Sequence, residues 1–155
     1  MAKKKKDELE IFGIPVFQTI RMAESTAAAE GWSSGAAVIV LQNGVSIYAG
    51  ADPEGNDHGA LFGNDKDGDF QLAGDQRDGF LKGKKIKAIG KLSQSSMDEM
   101  MWYGESPAVL EFEDGTRLWP SRDDEGNGPG TLIARTTKGK TFYLVAQGPK
   151  DWSPL

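Results

Sequence analysis

Residues 43–63 read NGVSIYAGADPEGNDHGALFG, and residues 114–134 read DGTRLWPSRDDEGNGPGTLIA. At an offset of 71 positions, seven of the 21 aligned pairs are identical: Gly44 with Gly115, Asp52 with Asp123, Glu54 with Glu125, Gly55 with Gly126, Asn56 with Asn127, Gly59 with Gly130 and Leu61 with Leu132. Chance pairing at ordinary composition gives about one or two. Other pairs keep their character, such as Ile47 with Leu118, Tyr48 with Trp119 and Phe62 with Ile133. The match continues upstream at an offset of 70, setting Gly13 on Gly83, Val16 on Ile86, Ser25 on Ser95 and Trp32 on Trp102. Downstream, an offset of 72 sets Phe70 on Phe142 and Leu72 on Leu144. A repeat of this period divides the chain into two units, residues 9–75 and 80–148, between short tails at 1–8 and 149–155. The joint, Gly74-Asp-Gln-Arg-Asp-Gly79, is polar and flanked by glycines, as a linker should be.

Each unit reads as mainly β with one short helix. In the second unit, residues 85–92 form a strand, and Ser96-Met-Asp-Glu99 fits a capping box at the start of a helix running through Met101. The counterpart in the first unit is Ser25 to Glu30. A hairpin then joins 108–113 to 116–119 around Asp114-Gly115, and its counterpart joins 37–42 to 45–48 around Asn43-Gly44. Both dipeptides suit a type I′ turn. A second hairpin joins 131–135 to 140–145, matched by 60–63 and 69–73. This inventory suits an SH3-like barrel or a small bent sheet in each unit. So small a unit buries a marginal core, and two copies gain by packing together. Glu111 and Glu113 alternate with Leu110 and Phe112, giving one wet and one dry face, whereas Val38 to Leu41 is apolar on both faces and needs a cover.

Residues 110–130, LEFEDGTRLWPSRDDEGNGPG, resemble a small uncharacterised module of about 70 residues, close to the repeat period here, encoded as a stand-alone protein in bacterial and phage genomes. The second unit fits this pattern over most of its length. The first departs from it, with Ala49-Gly-Ala in place of Pro120-Ser-Arg and Asp57-His in place of Gly128-Pro. The resemblance implies that one unit can fold alone, and a phage or bacterial setting. It carries no catalytic residue.

Composition removes several classes of function. With no cysteine among the 155 residues, disulfides, thiolate metal sites and a cysteine nucleophile are excluded, and one histidine excludes any two-imidazole site within a chain. A formal net charge of −5 argues against tight binding to a polyphosphate backbone. No stretch approaches the roughly 18 apolar residues that a membrane helix needs. Lys3 to Lys6 are followed by Asp7, Glu8 and Glu10 rather than an apolar run, so no secretory leader is read and a cytoplasmic location is expected.

The acidic, glycine-rich loops are the most distinctive feature. Asp52, Glu54 and Asn56 in the first, with Arg122, Asp123, Glu125 and Asn127 in the second, are the candidate ligand-binding residues. Carboxylates and an amide at this spacing suit a hard cation, and glycine N–H groups suit a small polar ligand. The simpler reading is turn chemistry, in which Asp caps the loop and Asn and Gly take left-handed conformations. Asp65-Lys-Asp-Gly-Asp69 opens like a calcium loop. Phe70 and Gln76 stand where such a loop needs Gly and Glu, so a hairpin turn fits better. Gly31-Trp-Ser-Ser-Gly35 has the spacing of a nucleophile elbow without its strand-to-helix setting or a late histidine, His58 being the only one. Lys82, Lys84, Lys85, Lys87 and Lys91, with Trp102, Tyr103 and Trp119 for stacking, suit a nucleic-acid face. The alternative is an edge strand guarded by lysine.

The reading that follows is a non-enzymatic binding or assembly module without a cofactor, its partner an unidentified protein or a second copy of itself. Self-association is suggested by opposite charge at matched places, with three acids in 64–69 and three bases in 135–140. A divalent-metal or small-ligand sequestering protein and a nucleic-acid accessory protein are the alternatives.

Overall fold

The computed structural model describes residues 20–26, 36–51, 59–72, 81–123, 125–139 and 141–144. These form ten strands and one short helix: β1 (Ile20–Thr26), β2 (Ala36–Leu41), β3 (Ser46–Gly50), β4 (Ala60–Asp65), β5 (Gly68–Leu72), β6 (Ile86–Lys91), α1 (Gln94–Glu99), β7 (Ala108–Phe112), β8 (Arg117–Ser121), β9 (Thr131–Arg135) and β10 (Thr141–Leu144). The mainly β class follows from period-2 alternation. Ile39, Leu41, Ile47, Leu110, Phe112 and Leu118 fall on one face of their strands and are fully buried or nearly so.

The strands assort in an order that the repeat by itself does not suggest. One antiparallel sheet runs β1-β2-β3-β9-β10, the other β5-β4-β8-β7-β6. Neither 9–75 nor 80–148 closes a sheet from its own strands. Each sheet takes three strands from one segment and a hairpin from the other. The register repeats under the shift between segments. Ser46 opposes Arg135 and Gly50 opposes Thr131 across β3 and β9, while Arg117 opposes Asn64 and Ser121 opposes Ala60 across β8 and β4. Phe70 and Phe142 face Gly63 and Ala134, at the offset of 72 read from the sequence.

Upstream, the register corrects the alignment. Ile20 opposes Leu41 as Ile86 opposes Phe112, and a bulge follows each, between Ile20 and Met22 and between Ile86 and Ala88. The structural offset is therefore 66 and not 70, with Ser25 matching Lys91 and not Ser95. The segment between the first two strands of each half absorbs the difference. Lys91 and Ala108 are 17 positions apart, Ser25 and Ala37 only 12, and the longer one holds α1. The helix expected from Ser25 starts on residues that belong to β1, and the rest of that stretch lies outside the described residues. A second correction concerns the cap of α1. Ser93, and not Ser96, caps the helix, its Oγ accepting from the Ser96 N–H at 3.1 Å, because the helix begins at Gln94 and its first orphan donors lie a turn earlier than the sequence predicts.

The β2–β3 and β7–β8 turns also differ from the expected type I′. Gly44 N–H donates to the Leu41 carbonyl and Gly115 N–H to that of Phe112. Only the glycines have positive φ, at +90° and +93°. This is a three-residue loop ending in a left-handed glycine. The preceding side chain selects it: Asn43 Oδ1 accepts from Val45 N–H at 3.1 Å, and Asp114 Oδ1 from Thr116 N–H at 3.0 Å.

A single apolar cluster joins the two sheets, drawing Ile39, Leu41, Ile47, Leu132 and Leu144 from one and Leu61, Leu72, Ile86, Ile89, Leu110, Phe112 and Leu118 from the other. Outer faces are buried as well. Val38, Val40, Tyr48 and Ile133 cluster on the outer face of the first sheet. On the second, Val109 and Trp119 lie under Leu92, Met97 and Trp102 from the α1 segment. The wet face expected there is only partly wet. Glu113 is exposed, but Glu111 is buried and pairs with Arg117 at 3.4 Å.

The two halves interlock where the chain passes from one sheet to the other. Gly59 N–H donates to Ala49 O at 2.7 Å, and Gly130 N–H to Pro120 O at 3.2 Å, again 71 positions apart. A methyl group on Gly59 would overlap the Ser121 carbonyl oxygen, and one on Gly130 would stand 2.7 Å from Gly50 O and 2.8 Å from Ser121 O. Fixed backbone leaves no room to yield. Gly59→Ala and Gly130→Ala should each cost about 3 kcal/mol or prevent folding. Gly115→Ala, where a methyl group meets open space, should cost only about 1 kcal/mol for its left-handed φ. Urea unfolding of the three variants measures the difference.

Candidate functional site

The second glycine-rich loop follows directly from β8. Arg122 N–H donates to Gly128 O at 2.9 Å, and Ser121 bridges to Pro129, so the loop closes on its own base. Inside it, Asp123 Oδ1 accepts from the N–H groups of Glu125 (3.1 Å) and Asn127 (3.0 Å), and Oδ2 accepts from Asn127 Nδ2 at 3.0 Å. Glu125 Oε1 accepts from the same Nδ2 at 3.1 Å. The backbone donor of Asn127 leads the interactions that hold the Asp123 carboxyl below its ordinary pKa.

This geometry gives each letter of the shared Asp-x-Glu-Gly-Asn pattern a local role. Asp accepts from the two N–H groups that the turn orphans, and Asn ties both carboxylates together. Gly126, at φ +79°, lies over the Phe62 ring. The loop then docks on the body, with Trp102 Nε1 donating to Gly126 O at 2.9 Å. Of the seven candidate ligand residues, Asp123, Glu125 and Asn127 come together, while Arg122 leaves the group and packs its side chain against Gly128. Asp52, Glu54, Asn56 and His58 lie outside the described residues, as does the Gly31–Gly35 stretch. Among the described residues, no three His, Asp or Glu side chains are placed to hold a metal ion.

The lysine stretch lies on and before β6, an edge of the second sheet, with Lys82, Lys87 and Lys91 exposed. Lysine on an edge strand discourages pairing with a further strand. Lys84 pairs with Asp114. Burial raises the Asp114 pKa, but the hydrogen bonds from Lys84 and Thr116 together outweigh it and bring it down from 3.8 to about 2. Trp102 and Trp119 are buried in the outer cluster, so of the three aromatic residues expected to stack on bases only Tyr103 is accessible.

One surface escaped the sequence reading. After α1 the chain turns through Met101, at φ +58° the only described non-glycine residue with positive φ. Met101 N–H donates to Asp98 O at 3.0 Å, and Trp102 N–H to Met97 O at 2.9 Å, the paired bonds of a Schellman end. Met97 and Trp102 pack together inside, as that motif favours. Met101 is left 69% exposed and Tyr103 83% exposed. The sequence reading sets Trp102 and Tyr103 together as stacking residues and Met101 as the last residue of the helix, because a sequence does not show which of these large side chains a helix end turns outward. Asp98, Glu99 and Glu105 are exposed around them, and no Lys or Arg occurs between positions 92 and 106.

Compared with known protein families, curated proteins and solved structures, the chain matches none.

Two outcomes follow from the loop. Since Asp123 spends its carboxylate on internal donors, millimolar calcium or magnesium should leave the melting temperature unchanged, and a rise would restore the cation site. Asn127→Ala should destabilise by about 1 kcal/mol by releasing Asp123 and Glu125. A third concerns acid. Asp114 is depressed in the folded state, so its contribution is present above the unfolded pKa of about 4. That contribution is lost as pH falls from there toward about 2. Urea midpoints measured over that window should fall less steeply in Asp114→Asn than in the parent.

Proposed function

We propose that this protein is a non-enzymatic assembly module and that the ridge Met101–Tyr103 is its contact surface, the partner being a second copy of the chain. One observation carries the reading: a large apolar side chain is held outward in a conformation that disfavours it. A left-handed methionine costs about 1 kcal/mol relative to glycine, and outliers of this kind persist where function keeps them. Tyr103 beside it supplies rigid, amphipathic contact area of the sort enriched at interfaces. The acidic rim selects a basic surface, and the chain carries one around the exposed Lys138 on the β9–β10 turn, with the half-buried Arg135 at the end of β9. A ridge on one half meeting a turn on the other is a heterologous contact, which closes into a ring or continues as a filament. The second apolar face of Val38 to Leu41 does not serve, since Val38 and Val40 are buried.

Met101→Gly separates the two roles of this residue. It should stabilise the fold by about 1 kcal/mol in urea unfolding, because the strain goes, and weaken association, because the side chain goes. Light scattering at about 100 μM, where a dimer with a micromolar dissociation constant is well populated, should show a mass above 16.7 kDa. That mass should fall in Met101→Ser/Tyr103→Ser and at high salt, where the acidic rim is screened. A monomer for the parent chain at low salt would overturn the proposal.

A further inference from the structure

We propose that two copies of this chain also assemble by trading halves, strands β1–β5 of one chain completing both sheets with strands β6–β10 of the other. The inference deepens the assembly reading by naming a second contact between copies, and it uses a different surface. The pairing itself supports it. The β4–β5 hairpin is hydrogen-bonded into the sheet of β6–β8, and the β9–β10 hairpin into that of β1–β3. No sheet is whole without strands from both segments. The Gly50, Gly59, Ser121 and Gly130 crossing likewise takes two residues from each segment. In sequence, the two segments are joined only through residues 73–80, beyond the edge strand β5. Every strand pair, buried cluster and backbone crossing between the halves can therefore form equally well between two chains.

When the contacts are identical, the balance between the two forms is set by the covalent joint. A short covalent joint holds the two segments of one chain at an effective concentration on the order of millimolar. Dilute chains therefore close on themselves, and concentrated chains trade halves. Once formed, the traded dimer comes apart only by opening both sheets of each sandwich, so it persists on dilution. Two chains close into a dimer of two sandwiches, and an unclosed exchange extends as a linear array.

Complementation tests this. Leu61 and Leu132 are fully buried at matched positions on the two exchanged hairpins. Leu61→Asp and Leu132→Asp should each abolish cooperative unfolding when refolded alone. Refolded together at about 100 μM, they should yield a heterodimer. Half of its sandwiches join the intact first segment of one chain to the intact second segment of the other, and the parent unfolding transition returns at half its amplitude. No heterodimer and no transition in the mixture would overturn the proposal. The parent chain supplies a second test that needs no damaged core. Refolded at concentrations from about 1 μM to 1 mM and then diluted, it should retain a dimer fraction that grows with refolding concentration. That fraction should survive high salt and the Met101→Ser/Tyr103→Ser substitutions. Monomer at every concentration would overturn the exchange. So would a dimer that dissolves on dilution or in salt, which would instead belong to the ridge.

Discussion

Two backbones cross where Gly59 and Gly130 lie against the carbonyls of Ser121 and Gly50, and the rest of the molecule depends on that close approach. It sends each second hairpin to the opposite sheet, which builds two five-stranded sheets from halves that each lack two strands. A side chain of any size at either glycine would force the passing strands apart and split the shared core. The fully buried Leu61 and Leu132 lie two residues beyond the crossing in each half. The same few ångströms of backbone thus position the hairpins and the apolar layer that holds them.

The halves share this frame and differ in what they place on its outer faces. The longer connection in the second half accommodates α1 and the Trp102 segment over Val109 and Trp119, while the matched outer face of the first sheet is a cluster of Val38, Val40, Tyr48 and Ile133. Where the first half has Val40 and Ser46, the second has the Glu111–Arg117 pair. The extra residues have a consequence at the surface. Ending α1 in a Schellman turn buries Trp102 and turns Met101 and Tyr103 outward. Among the described residues this exposed pair occurs in the second half alone.

The acidic loop shows how a pattern shared by both halves can arise from folding. Asp123, Glu125 and Asn127 would suit a cation as a sequence, yet the two carboxylates accept from the loop's own N–H groups, those of Asn127 among them. Gly126 then offers its carbonyl to Trp102. The chemistry that makes the loop conspicuous serves to close it and to seat it on the aromatic cluster of the second sheet.

Strand content, the positions of most hairpins and the period-2 core were legible in the sequence, because they rest on side-chain alternation and on turn residues close in the chain. Even the downstream offset of 72 could be read, since Phe70 and Phe142 keep the same place in matched hairpins. The upstream offset could not, because strand identity there is fixed by pairing with β2 and β7 and by a shared bulge, not by identical residues. Tertiary structure alone decided which half each hairpin joins. The same alternating pattern satisfies either sheet, and the choice is made by backbone proximity at glycines that carry no side chain to announce it. It also decided which of Met101, Trp102 and Tyr103 face water, since that depends on a left-handed φ at one residue and on a covering surface far away in the chain.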